Sequence, residues 1–166
     1  MEELDKLIPT HGGYQNLISF QKAEIDYHGT VYFCKRFFHK YDRIVDQMVQ
    51  AARSGKQNIV EASIASSTSK GTEIRLTNVA RASLEELLID YEDFMRTNHI
   101  SKWDRNHRLS KRFDGLNRTP NATYKTFQRA IENKDPAITA NVMWCLTNLT
   151  YNNTFAKSSK LCIRLL

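Results

Sequence analysis

Residues 50–63 read QAARSGKQNIVEAS. Within the wider segment 43–62, Ile44, Met48, Ala51, Gly55, Ile59 and Ala62 recur at spacings of four and three, which is one face of a 3.6-residue period. That face is the core side of a helix, yet half of it is alanine or glycine. Small residues on a helix face let a neighbouring helix approach below the usual separation of about 8–10 Å. A second stripe, Gln47, Gln50, Ser54, Asn58 and Glu61, is a polar row beside the core. Buried amides need hydrogen-bond partners, so Asn58 and Glu61 are candidates for a structural polar network, with solvent exposure as the alternative. A third stripe, Val49, Arg53, Lys56 and Val60, lies roughly opposite the core. Its two cations suit either phosphate or the acids of a neighbouring subunit.

Working outward, helical periodicity dominates the chain. A first helix is expected over about 17–40, with Leu17, Phe20, Tyr27, Val31, Cys34, Phe37 and Phe38 as its apolar positions. The second covers about 43–65. The run Ser66-Ser67-Thr68-Ser69 reads as a loop that supplies N-cap oxygens. A third helix covers about 70–97, with Leu76, Ala80, Ser83, Leu87, Tyr91 and Phe94 on one stripe. The pattern then decays. Residues 98–122 are polar and basic, contain Gly115 and Pro120, and read as loop or irregular insert. A short helix fits 123–133. Pro136 suits the first turn of a fourth long helix, whose stripe is Ile138, Val142, Leu146, Leu149 and Ala156. No strand and no internal repeat is evident. Four long amphipathic helices, two of them joined by short loops, predict an all-α antiparallel four-helix bundle with a basic insert between the third and fourth helices, about 98–135.

The composition agrees with one domain across 1–166. The chain is 166 residues long, 41% apolar and 25% charged, so a core can form and wholesale disorder is disfavoured. Only 6 Gly and 3 Pro argue against a turn-rich β-sandwich. Cys34, Cys145 and Cys162 are scattered and odd in number, which predicts reduced thiols in a cytoplasmic protein. MEELDKLIPT is acidic and lacks the apolar segment of a signal peptide. No apolar run reaches the roughly 20 residues that span a bilayer. On that reading the acceptor-type triplets at Asn117, Asn121, Asn148 and Asn152 are chance matches, a reading that reverses if the protein is secreted.

The net charge is +6, with a pI near 9.3, compatible with a polyanion partner without requiring one. The distribution is more informative. Residues 35–56 carry Lys35, Arg36, Lys40, Arg43, Arg53 and Lys56 against Asp42 and Asp46. Residues 102–129 carry Lys102, Arg105, Arg108, Lys111, Arg112, Arg118, Lys125 and Arg129 against Asp104 and Asp114. Residues 85–93 are acidic only, with Glu85, Glu86, Asp90, Glu92 and Asp93.

Enzymatic signatures are missing from the sequence. It contains no glycine-rich phosphate loop, HExxH pair or nucleophile elbow. It also lacks the Glu-x-x-His pairs of di-iron bundles. His28 and His39 lie on the first helix without an acidic or cysteine partner at ligand spacing. Glu86, Asp90 and Asp93 share one flank of the third helix. They form either a metal or general-acid site or an acidic stripe that is solvated or ion-paired. No His or Cys joins them, which favours the stripe and a non-enzyme with no cofactor and no metal. On the fourth helix Trp144, Tyr151 and Phe155 share a face away from the core stripe. They are either a base-stacking platform or a surface covered by the insert, through Tyr124 and Phe127, or by a subunit.

Two motifs carry a family resemblance. QAARSGKQNIVEAS and VARASLEELLIDYEDF resemble the bacterial four-helix-bundle family first met as reading frames in intervening sequences of large-subunit ribosomal RNA genes. That family has a second-helix pattern like RRAAxSIxxNIAEG and a third-helix pattern like AxGSLxEL. Ala51, Ala52, Ser54, Asn58, Ile59 and Glu61 match the first; Ala80, Ser83, Leu84, Glu86 and Leu87 match the second. Ala62 stands where the family closes on glycine, and Gly55 replaces an apolar residue. The match covers about 14–97, and the basic segment 98–135 resembles the branch with a suffix domain. The resemblance implies an up-down-up-down bundle, often a homopentamer. It also implies kinship with the accessory protein of diversity-generating retroelements, which binds nucleic acid and a reverse transcriptase. Fold transfers through such a resemblance better than role does.

The sequence therefore predicts a homo-oligomeric nucleic-acid-binding protein, with RNA the first partner to test and no membrane. Phosphate contacts are expected from Arg43, Arg53, Lys56, Lys70, Arg75, Arg105, Arg108, Lys111 and Arg112. The alternative is a protein-interaction adaptor that docks a partner such as a reverse transcriptase.

Overall fold

The structure is a computed structural model that describes residues 13–165, with side chains through residue 156. The N-terminal MEELDKLIPT segment and the Cys162 side chain lie outside what it describes. The described chain is all-α: a one-turn 3-10 helix at Tyr14–Asn16 precedes six helices, and no strand occurs among the described residues. The helices are α1 (Ile18–Phe37), α2 (Arg43–Ala65), α3 (Lys70–Thr97), α4 (Arg108–Asn117), α5 (Tyr124–Ile131) and α6 (Pro136–Leu165). No helix among the described residues is long and apolar enough to cross a membrane.

Local chemistry explains the boundaries. Ser69 caps α3 by accepting the Thr72 N–H at 3.2 Å, as the serine-rich loop predicts. Asp135 accepts the Ala137 N–H at 2.9 Å beside Pro136, the first residue of α6. Thr123 and Thr126 form a reciprocal capping box at the start of α5. The stretch 98–122 departs from the expected irregular insert, because Arg108–Asn117 is helical. Leu109, Phe113 and Leu116 give this helix an apolar face at i, i+4 and i+7, and Phe113 packs on Phe127 of α5 with ring centroids 5.7 Å apart.

The four long helices pack in a ring: α1 on α2, α2 on α3, α3 on α6, and α6 back on α1. The insert helix α5 rests on α1 and α6. On α2 the buried residues are Met48, Ala51, Ala52, Gly55, Ile59 and Ala62, the stripe read from the sequence with Ala52 added and Ile44 only half-buried. The small residues do bring a helix close. A Cβ built on Gly55 would lie 2.9 Å from Leu84 Cδ2 and 3.8 Å from the Ala80 carbonyl oxygen of α3.

The α1 stripe needs correction. Tyr27, Val31, Phe37 and Phe38 are only half-buried. The buried face instead runs through Lys22, Ala23, Ile25, Asp26, Gly29, Thr30, Phe33 and Cys34. Polar groups on that face are paired across the fold. Asp26 Oδ1 accepts the Thr147 hydroxyl at 2.8 Å, and the Thr30 and Tyr91 hydroxyls lie 2.8 Å apart. On α6, Ala156 is exposed, whereas Thr139, Asn141, Thr147, Thr150 and Thr154 are buried.

Two α1 cations fasten the insert. Lys22 Nζ donates to the Asn117 carbonyl at the end of α4, 3.3 Å away, and lies over the Phe127 ring. Arg36 Nη2 donates to the Lys134 carbonyl at 2.8 Å and Nη1 to the Asn133 carbonyl, holding the turn between α5 and α6. Arg36 counts toward the basic run in sequence but serves as a structural hook.

Candidate nucleic-acid interface

The nine cations expected to meet phosphate fall into three environments. Arg43, Arg53, Arg75, Arg105, Arg108, Lys111 and Arg112 are exposed, and none has an ion-pair partner among the described residues. Lys56 is half-buried, with its ammonium 4.4 Å from the Tyr27 ring centroid on α1. A cation over an aromatic face is held by the ring quadrupole, which answers part of the question raised by the third stripe. Lys70 donates to Glu73 Oε2 at 3.0 Å, and that carboxylate is buried.

These groups do not converge on one site. Arg43 opens α2, and Lys70 opens α3 beyond the far end of α2. At 1.5 Å per residue, α2 alone separates them by roughly 33 Å. The dense set is Arg105, Arg108, Lys111 and Arg112, on α4 and the loop before it. That segment is anchored rather than loose. The Trp103 backbone N–H donates to Asn141 Oδ1 at 2.8 Å, and Asn141 Nδ2 donates to the Ser101 carbonyl at 3.0 Å. Asn141 is 1% exposed, so α6 holds the segment through a buried amide. The sequence gives no hint of that clamp, because the two ends are 38 residues apart.

The polar row on α2 forms a network in part. Asn58 Nδ2 donates to the Ser54 carbonyl at 2.8 Å and to Ser54 Oγ at 3.2 Å, and Ser83 of α3 donates to Ser54 Oγ at 2.9 Å. Asn58 is thus part of a half-buried cluster that bridges α2 and α3. Glu61 is exposed and has no hydrogen bond among the described residues. The network centres on Ser54, a residue the sequence reading placed in the row without singling it out.

The aromatic face of α6 is occupied within the chain. Trp144 Nε1 donates to Glu92 at 3.0 Å, and Lys102 Nζ sits 4.4 Å from a Trp144 ring centroid. Arg81 of α3 lies over both the Tyr151 and Phe155 rings. These contacts, rather than Tyr124 and Phe127, engage the face, and Phe155 stays 46% exposed. Phe127 is buried against Phe113.

The acidic flank of α3 stays dispersed. Asp93 pairs with Arg96 at 3.1 Å and Glu92 with Lys102 at 2.8 Å. Burial, followed by the negative charges of Asp93 and Glu86, pushes the Asp90 carboxyl up to about 6. No group of three or more His, Cys, Asp or Glu side chains among the described residues is arranged to hold a metal ion. Burial pushes the Cys34 and Cys145 thiols up to about 12, which leaves neither as a thiolate at neutral pH.

Comparison of the chain with protein-family models, with curated proteins and with solved structures returns no match.

Proposed function

We propose that the chain is a non-enzymatic, homo-oligomeric nucleic-acid-binding protein of the cytoplasm, with RNA as its first partner. On this reading the ring of long helices is an antiparallel up-down-up-down bundle, and the segment 98–135 is its basic insert. The observation that carries it is the set Arg105, Arg108, Lys111 and Arg112: four exposed cations within eight residues, none neutralised by an acid among the described residues. Unpaired cations on an anchored segment suit phosphate, because displaced counterions drive such binding. Arg43, Arg53 and Arg75 add exposed cations on α2 and α3, apart from the α4 set. Lys56 and Lys70 contribute charge at longer range, since Tyr27 and Glu73 already engage them. The reading calls for no metal and no cofactor. The resemblance to the ribosomal intervening-sequence family supports both the bundle topology and self-association, with a pentamer as the expected assembly.

Filter-binding titrations on structured RNA and on duplex DNA test the proposal. It expects retention at about 50 mM salt and a log-linear fall in affinity as salt rises. Absence of retention for both nucleic acids at that salt sinks it.

A second reading rests on the outer face of α3. Val79 and Ile89 are 42% and 53% exposed, and Glu86 lies between them on the same stripe. An apolar and acidic face of this kind suits a protein partner such as a polymerase or reverse transcriptase. Co-purification from the native host separates the readings, because an adaptor keeps its protein partner after nuclease treatment.

A further inference from the structure

The insert does more than display charge. Between α4, α5 and the start of α6 lies a half-open cleft of about 620 Å³. Phe113 and Val142 form its buried floor, with Leu109 and Ile138 half-buried beside them. Arg112 and Arg129 line it as well, both exposed and neither engaged by an acid among the described residues. Thr126 and Asn133 add two polar side chains to the wall.

Trp103 completes the lining, and its geometry is specific. Its ring is parallel to that of His107, with an interplanar angle of 7° and centroids 5.1 Å apart. The Asn141 clamp fixes the Trp103 backbone to α6, and the stack on His107 orients the ring. Pre-positioned aromatic rings lose little entropy when another ring stacks on them.

We infer that this cleft receives an unpaired base of single-stranded nucleic acid, with the adjoining phosphates on Arg112 and Arg129. The inference rests on the nucleic-acid reading above and narrows it to single strands. An apolar, aromatic-edged cleft with two unneutralised guanidiniums matches a flat ring tethered to an anion. The Thr126 hydroxyl and Asn133 Nδ2 can donate to the base edge, their oxygens already accepting the Thr123 and Asp135 N–H groups. A duplex keeps its bases stacked inside and presents only phosphate, so it reaches the arginines without filling the cleft. Stacking of a base on Trp103 is sequence-tolerant, since every base has a π face.

The test compares a 12-nucleotide single-stranded RNA with a hairpin duplex of equal length, by fluorescence anisotropy at one fixed salt. Wild-type protein is expected to favour the single strand. Trp103→Ala removes one stacking ring and is expected to lower single-strand affinity about tenfold more than duplex affinity, the scale of one lost base stack. An equal loss on both ligands, or none, overturns the cleft while leaving phosphate binding intact. If Trp103→Ala does not fold, as read by its helical circular dichroism, Trp103→Leu decides, since it keeps apolar bulk in the lining and removes the stacking face. The inference expects that variant to lose more on the single strand than on the duplex, and an equal loss overturns it. Failure of wild-type protein to bind either ligand removes the nucleic-acid reading and the cleft with it.

Discussion

The α2–α3 and α1–α6 contacts hold the same ring of helices together by different chemistry. Between α2 and α3, Gly55 brings Leu84 and the Ala80 carbonyl close, and Ala23, Ile59 and Ala80 form a buried apolar cluster nearby. Its polar part, Ser54, Asn58 and Ser83, is neutral and half-buried at the edge. Between α1 and α6, Gly29 also permits a close approach, to Met143, but the buried surface around it carries an acid and several hydroxyls. Asp26 is 1% exposed, its Oδ1 is satisfied by Thr147, and its Oδ2 has no hydrogen bond. One contact region therefore depends on shape and the other on protonation.

The largest expected difference follows from Asp26. Burial pushes its carboxyl from 3.8 up to about 7, partly opposed by the Thr147 hydrogen bond. The folded state thus holds a proton that the unfolded chain releases near pH 4. The stabilisation is fully present below the unfolded value and is lost as pH rises through about 7. About three units at about 1.4 kcal/mol each give an effect on the order of 4 kcal/mol. Asp26→Asn keeps the shape and removes the titration. Urea unfolding is expected to show that variant more stable than wild type at pH 8 and no more stable at pH 4. A stability difference that does not change with pH would remove protonation from the account of the α1–α6 contact.

Gly55→Leu attacks the other region. Even a Cβ at that site would sit 2.9 Å from Leu84 Cδ2, so a branched chain must push the buried Leu84 side chain out of its place. A loss of about 3 kcal/mol is expected, read as a lower urea midpoint and independent of pH. A variant that unfolds at the wild-type midpoint would show that α2 and α3 do not need the close approach. The smallest effect belongs to Ser83→Ala, which deletes a half-buried hydroxyl from the Ser54 cluster. Better helix propensity offsets part of the lost hydrogen bond, leaving a loss of about 0.5 kcal/mol.

The same contrast explains what was legible in the sequence. The α2 stripe was readable because small apolar residues are buried for local reasons, and their 3.6-residue spacing appears in the sequence itself. The α1 face was not readable. Lys22, Asp26 and Thr30 look like solvent positions until Asn117, Thr147 and Tyr91 arrive from 95, 121 and 61 residues away. Helix α4 left a signal that the composition masked. Leu109, Phe113 and Leu116 have helical spacing, but Gly115 and the surrounding cations read as loop. The candidate cations could be enumerated from sequence, and their availability could not. Only the fold sets Lys56 over Tyr27 and Lys70 beside Glu73, and leaves Arg105, Arg108 and Lys111 unpaired.

That last distinction makes the central claim measurable. The salt dependence of structured-RNA affinity can be compared between wild-type protein and the surface variant Arg105→Gln/Arg108→Gln/Lys111→Gln, with unfolding midpoints as a control. If these side chains displace counterions from RNA, the slope of log affinity against log salt becomes shallower by about two to three, near 0.7 to 0.9 per lost phosphate contact. An unchanged slope in a folded variant would contradict the account, because the basic insert would then not be where the phosphates bind.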